Sequence, residues 1–359
     1  MRILYGVTGE GMGHATRSKV ILTHLASRGH EIKIVVSGRA HGYLARFFPD
    51  VEEIHGLHIA YEDNAVKRRR TVWELLKEMP AGLRANYEKY RDISESFKPD
   101  VVISDFESFS HAFGKQKGLP VISIDNMSIL SRCAIEVPIP KDAMADFQTT
   151  KPIVAGKVAR SFHYLITTFF FPKIVKDRTS LYPPILRDEV LARQPTPGDH
   201  ILVYQTSTSN SELLPVLRSM DRHRFVVYGL RRDEDLGNVQ LRDFSETKFV
   251  DDLASARAVI AGGGFSLMGE AVYLGKPLLA VPVKHQFEQT LNALYLEQYG
   301  YGEYHRDLSA EGITRFLGRV DEYTDKLHNH RQEGNRLIFE GLDRLLPAAA
   351  EAGRQWAGR

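Results

Sequence analysis

The sequence predicts an α/β protein of two parallel-sheet halves, and three features carry that prediction. Short β-branched runs alternate with segments of helical periodicity, the order that winds helices onto both faces of a parallel sheet. The alternation breaks once, at "YPPILRDEVLARQPTPGD" (182–199), where four prolines gather, and then restarts. A glycine-rich turn closes one strand in each half, with glycines at 6, 9, 11 and 13 and again at 262, 263 and 264. This reading places a first unit at 1–180, a connection at 181–198 and a second unit at 199–359, with the last helix able to pack back on the first unit. Two open sheets of this kind leave a cleft between them, and their ligands sit outside the carboxyl ends of the strands.

Composition bounds the function. At 359 residues the chain can bury two cores, and 43% hydrophobic with 26% charged residues is the balance of a soluble globular protein. A net charge of +2 gives no reason to expect nucleic acid. The lone Cys133 excludes a disulfide and a thiolate metal cluster. The apolar start is too short for a signal peptide, so a cytoplasmic place is expected, and no metal-ligand cluster stands out.

Taken in order, "RILYGV" (2–7) is the first strand and 16–27 the helix after it. The turn between them lets backbone N–H groups approach a phosphate, because glycine carries no Cβ. Its spacing is G-x-G-x-G, and the second strand, "EIKIVVSG" (31–38), offers Ser37 and Arg39 where a dinucleotide site would place a carboxylate. A 2′-phosphorylated nicotinamide cofactor therefore stays open as one reading. Residues 71–97 carry Trp73, Leu76, Leu83, Tyr87, Tyr90 and Phe97 at helical spacing, a helix pair split at Pro80. "DVVISDF" (100–106) and "PVISIDN" (120–126) are further strands. "YLITTFFFPKIV" (164–175) is far shorter than the ~20 residues a membrane-crossing helix needs. It reads as a buried strand, or as an interfacial patch whose flanking Lys157, Arg160, Lys173, Lys176 and Arg178 meet anionic lipid heads. "KRRR" (67–70) reads as a solvated face or a contact for an anionic acceptor or membrane surface.

In the second half "HILVYQ", "RFVVYG", "VQLRDF", "AVIAGGG" and "PLLAVPV" are strands. Gly263 and Gly264 open a helix at Phe265 and Ser266, and Glu270 lies about a turn further in. Such a helix start holds a diphosphate, and a carboxylate one turn inside accepts two ribose hydroxyls. Glu288 and Gln289 follow the next strand with groups suited to sugar hydroxyls.

"GGGFSLMGE…GKP…VP…EQTLNA" resembles the donor-binding signature of the nucleotide-sugar glycosyltransferases with two facing Rossmann-like domains, the GT-B fold. It is similar to that of the lipid II-forming N-acetylglucosaminyl transferases and of the natural-product glucosyl- and glucuronosyltransferases, matching at Gly264, Ser266, Glu270, Glu288, Gln289 and Asn292. The resemblance implies that the first turn, with Gly11, Gly13 and Arg17, faces the acceptor side of the cleft and that His14 acts on the acceptor. It also implies that "QTSTSNSELL" (205–214) presents Thr206, Ser207 and Ser209 to the donor diphosphate, and that Phe249 lies against the base. His285 reads as a phosphate contact or as a loop residue without that role.

Inverting sugar transfer needs a base on one face of the anomeric carbon and stabilisation of the leaving diphosphate on the other. His14 is the natural base. Asp105 is its orienting partner or a plain N-cap, and Glu107 is the competitor. The expected function is transfer from a nucleotide-diphosphate sugar, a UDP-sugar above others, to an unidentified acceptor, with inversion and without metal or bound cofactor. A nucleotide-sugar hydrolase or epimerase on the same scaffold and a non-catalytic nucleotide-sugar sensor are the rival readings.

Overall fold

The computed structural model describes residues 1–9, 11–55, 61–62, 65–66, 86–205 and 212–357. Its strands, in chain order, are β1 (Arg2–Val7), β2 (Glu31–Ser37), β3 (Val51–Ile54), β4 (Tyr61–Glu62), β5 (Ala65–Val66), β6 (Val101–Asp105), β7 (Val121–Asp125), β8 (His163–Thr167) and β9 (Thr179–Tyr182) in the first half. The second half supplies β10 (His200–Tyr204), β11 (Arg224–Tyr228), β12 (Glu234–Asp235), β13 (Val239–Arg242), β14 (Ala258–Ala261), β15 (Leu278–Ala280) and β16 (Gly302–Tyr304).

Two seven-stranded sheets result, ordered β3-β2-β1-β6-β7-β8-β9 and β12-β13-β11-β10-β14-β15-β16. The first is parallel throughout. The second is parallel except where the two-residue β12 pairs with β13. Strands such as β6 and β7 are buried along their whole length. That is why they read as continuous β-branched runs without polar alternation.

Strand order reverses between β1 and β6, where Val7 stands opposite Asp105, and between β10 and β14, where Tyr204 stands opposite Ala261. At such a reversal the outgoing connections leave on opposite faces and open a crevice at the carboxyl ends. Both glycine turns lie at these two points.

Three stretches depart from the sequence expectation. The apolar run 164–175 is a strand only as far as Thr167. Pro172 can donate nothing to a ladder, Phe169 and Phe170 turn into the core, and Phe171, Ile174 and Val175 are exposed. The connection begins later than expected, because β9 runs to Tyr182, and it is no slack tether: Ile185, Leu186, Arg187 and Val190 are buried. Of the helix pair expected at 71–97, the part from 86 is described and is helical to Phe97; residues 71–85 and the basic run 67–70 lie outside the described residues.

The final helix, Arg336–Ala357, sends Ile338, Leu342, Leu346, Ala349 and Ala350 into one core with Ile3, Tyr5, Ile103 and Ile122 of the first sheet. Just before it, Asn335 grips the connection, accepting the Leu186 N–H at 2.8 Å and donating to the Leu186 carbonyl at 2.7 Å. The halves also share apolar contact directly. Phe170 stacks on Tyr295 with centroids 3.8 Å apart, and Phe169 on Phe265 at 6.1 Å. Among the described residues no helix is long and apolar enough to cross a membrane.

Candidate active site

The first turn is drawn tight against the second strand. The Gly9 N–H donates to Ser37 Oγ at 3.0 Å, and a side chain at 9 would collide with the Ser37 carbonyl. Ser37 Oγ is thereby engaged as an acceptor by the turn. Helix Met12–Ser27 starts at Gly11 and places His14 beside the end of β6. His14 Nδ1 lies 2.8 Å from Asp105 Oδ1, with the imidazole about one-fifth exposed and the carboxylate fully buried.

Asp105 has two further partners on the same helix. Arg17 grips it side-on, through Nη2 to Oδ1 and through Nε to Oδ2 at 2.9 Å, and Ser18 Oγ donates to Oδ2 at 2.8 Å. Burial by itself would raise the Asp105 carboxyl, but the Arg17 guanidinium and then His14 more than reverse this and hold it well below the carboxylate range. This corrects the reading of Arg17 as an acceptor-side residue: three positions after His14, it is carried inward to the end of β6 and is only 4% exposed. Gly11, by contrast, is exposed, and Gly13 is half-buried.

Asp105 is not the helix cap. Phe106 takes a left-handed φ of 51°, and Glu107 caps helix Ser108–Gln116 by accepting the Phe109 and Ser110 N–H groups, each at 2.6 Å. Glu107 is buried, and both its carboxylate oxygens accept in that cap.

The second turn faces the first. A Cβ on Gly13 would stand 2.6 Å from Ser266 Oγ, so the starts of helices Met12–Ser27 and Phe265–Tyr273 abut. Gly263 adopts φ 86°, which favours glycine, and its carbonyl accepts from Asn292 Nδ2 at 3.1 Å. Gln289 Oε1 accepts the Val283 N–H at 3.0 Å, so the EQTLN motif splints the loop that carries it. Gly264 is open to solvent, whereas the Phe265 ring is buried against Phe169 and leaves only its backbone to a ligand.

Three side chains have partners that sequence reasoning missed. Glu270 is buried and bidentate with Arg187 of the connection, at 2.6 and 2.7 Å. Glu288 Oε1 accepts from Asn126 Nδ2 across the cleft at 2.8 Å. His285 Nδ1 lies 3.2 Å from Asp146 Oδ2. No sequence signal could have found these, since each partner is many residues away on another element.

Phe249 is a correction. Its ring is 4% exposed and walled in by Tyr204, Tyr228 and Phe244, because the amphipathic helix Glu246–Ser255 turns that face to the core. It offers no surface to a nucleobase. Thr206, Ser207 and Ser209 lie outside the described residues. Among the described residues no three His, Cys, Asp or Glu side chains gather as metal ligands.

Residues 1–321 match a family model described as "Glycosyl transferase family 1". The chain belongs to that family. An uncharacterized glycosyltransferase of Methanosarcina mazei is 25% identical over 84% of this chain and 85% of its own. The UDP-N-acetylglucosamine--N-acetylmuramyl-(pentapeptide) pyrophosphoryl-undecaprenol N-acetylglucosamine transferase of Sinorhizobium medicae is 26% identical over 98% of this chain and 95% of its own. Among solved structures, an Arabidopsis thaliana enzyme complexed with UDP-L-rhamnose superposes with a TM-score of 0.64 at 15% identity, over 98% of both chains. The calicheamicin glycosyltransferase CalG4 gives 0.63 at 18% identity, over 97% of this chain and 98% of that one. The two sheets are thus the GT-B fold, and this family 1 protein is a glycosyltransferase, which sets aside an oxidoreductase.

Proposed function

We propose that this glycosyltransferase moves a sugar from a UDP-sugar to an acceptor hydroxyl, with inversion and without a metal ion. His14 is the base, Asp105 orients it, and the turn at Gly263, Gly264 and Ser266 carries the leaving diphosphate. One observation supports this above others: His14, paired with Asp105 at the end of β6, sits on a helix whose Gly13 abuts Ser266, so the base stands beside the donor turn. Nδ1 faces the carboxylate, which directs Nε2 to the acceptor proton. Helix N–H groups and hydroxyls supply the charge stabilisation that a metal would otherwise give. Glu270 reads the ribose, and Glu288 and Gln289 read the sugar. The relative named for UDP-N-acetylglucosamine transfer and the neighbour crystallised with a UDP-sugar favour uridine diphosphate.

The test is His14→Ala at saturating donor, with an alcohol acceptor found by screening for UDP release. Transfer should slow by about 10²–10⁴-fold, the range for a general base, while UDP affinity holds, because the donor rests on the other half. Near-normal turnover would make His14 structural. Free sugar formed stoichiometrically without acceptor would make the enzyme a hydrolase.

We also propose that Phe171, Ile174 and Val175, beside Lys173, Lys176 and Arg178, rest on an anionic membrane surface. Phe171→Ser/Val175→Ser should lose co-sedimentation with phosphatidylserine vesicles; unchanged sedimentation would end this reading.

A further inference from the structure

We propose that Arg17 is a positioning residue that keeps the base unprotonated: it is the standing counter-ion of Asp105, so that His14 is not drawn into that role. This rests on the reading of His14 as the base.

Asp105 has no contact with solvent. A carboxylate taken out of water needs a matching cation and filled hydrogen-bond sites, or its burial is strongly unfavourable. Two side chains can supply the cation, and they are three residues apart on one helix. Arg17 is always charged and reaches both carboxylate oxygens, one with Nε and the other with Nη2. His14 touches one oxygen with one nitrogen. With Arg17 in place the trio is neutral overall while His14 carries a single ring proton, and His14 can donate that proton from Nδ1 and keep Nε2 open.

Arg17 also acts on the ring itself. Its Nη2 lies 2.8 Å from His14 Nδ1; with Nδ1 donating to Asp105 this is a contact between two donors and not a hydrogen bond, and a second ring proton would set two cations side by side. The remaining charges nearby bear on Arg17: Asp125 at the end of β7 and Glu288 from the second half both favour its charged form. Asp125 is occupied by Ser123 and Ser128, and burial pushes its carboxyl upward. Ser266, facing from the donor turn, is neutral. A histidine–carboxylate couple without the arginine carries a net negative charge whenever the ring holds one proton, which favours uptake of the second. Here the positive charge reaches His14 only when the acceptor gives up its proton.

The experiment uses the full chain with ring-labelled histidine, the His14 signals being assigned by their loss in His14→Gln. At a pH where the native ring shows one proton, on Nδ1, Arg17→Met should show two. Arg17→Lys should restore the singly protonated ring, and so should Arg17→Met/Asp105→Asn, which removes both charges. In transfer assays Arg17→Met should move the acid limb of the pH–rate profile upward by about one unit or more, a shift typical of losing one neighbouring charge. A cooperatively folded Arg17→Met whose His14 signals and acid limb match the native ones would overturn the proposal. Should Arg17→Met not fold, a doubly protonated ring in Arg17→Lys or in the double variant would overturn it equally. Failure of the base assignment looks different: His14→Ala would keep its activity while the ring signals still responded to Arg17.

Discussion

Glu270, which the proposed function places against the ribose, is already paired. Both its oxygens accept from Arg187 in the side-on geometry that uses the inner edge of a carboxylate, and a ribose diol binding bidentately would want that same edge. Nucleotide binding therefore has to shift Arg187 or share the carboxylate with it. Glu270→Gln keeps the shape and lowers the charge. It should weaken UDP binding by about 1.5–3 kcal/mol, the range for hydrogen bonds to charged groups, and erase the preference for UDP over 2′-deoxy-UDP in calorimetry. A native protein that bound both nucleotides equally would show that the ribose is not read here. At this scale sequence reasoning reached the residues that a turn presents, His14, Asp105, Gly263 and Ser266, because a strand end followed by glycines fixes where they stand. It missed which way Arg17 and Phe249 point. A helix residue's direction depends on what packs against it, and for these two the partners are Asp105, 88 residues away, and the tyrosines of β10 and β11.

The donor helix is also tied down at its far end. After Tyr273 the chain turns through Gly275, at φ 66°, and Lys276 runs inward to donate Nζ to the Thr196 carbonyl at 2.8 Å. Burial pushes this ammonium from its ordinary 10.5 down to about 8. The unfolded chain holds the proton up to the ordinary value and the folded one releases it near 8. Between those limits the unfolded state binds more protons, and stability rises with pH. Lys276→Met should accordingly raise the thermal midpoint most below pH 8, relative to native protein, with the gain shrinking from 8 toward 10.5. A gain independent of pH would mean that Lys276 keeps its proton throughout. Elements of five or six buried residues were legible in the sequence, since a β-branched run between turn residues has few other solutions. The short β3, β9 and β16 were not. Their sequences, VEEI, TSLY and GEY, hold at most two apolar residues each, whereas the equally short β14 and β15, AVIA and LLA, are apolar throughout and were legible; the three missed strands owe their pairing to neighbours already in the sheet.

At the scale of the molecule, the two sheets and their cleft followed from alternation and a proline-rich break, yet the halves are not separable at that break. Leu342 of the final helix is fully buried among first-sheet side chains, so Leu342→Ala should cost about 2–5 kcal/mol. Amide exchange should accelerate in β1 and β6 while β10 and β14 stay protected, and the reverse pattern would assign the helix to the second sheet. Pairs such as Asn126–Glu288 and Arg46–Glu246 cross between the halves as well, but they are polar and partly open, and the returning helix is the apolar tie. Its path makes the second half an insertion within the first. A chimera that exchanges donor specificity therefore needs two junctions, one in the connection and one ahead of Asn335, where a single cut would leave the recipient's first sheet covered by a foreign helix. During synthesis, too, the first half must wait with one face of its sheet bare until the whole second half has left the ribosome.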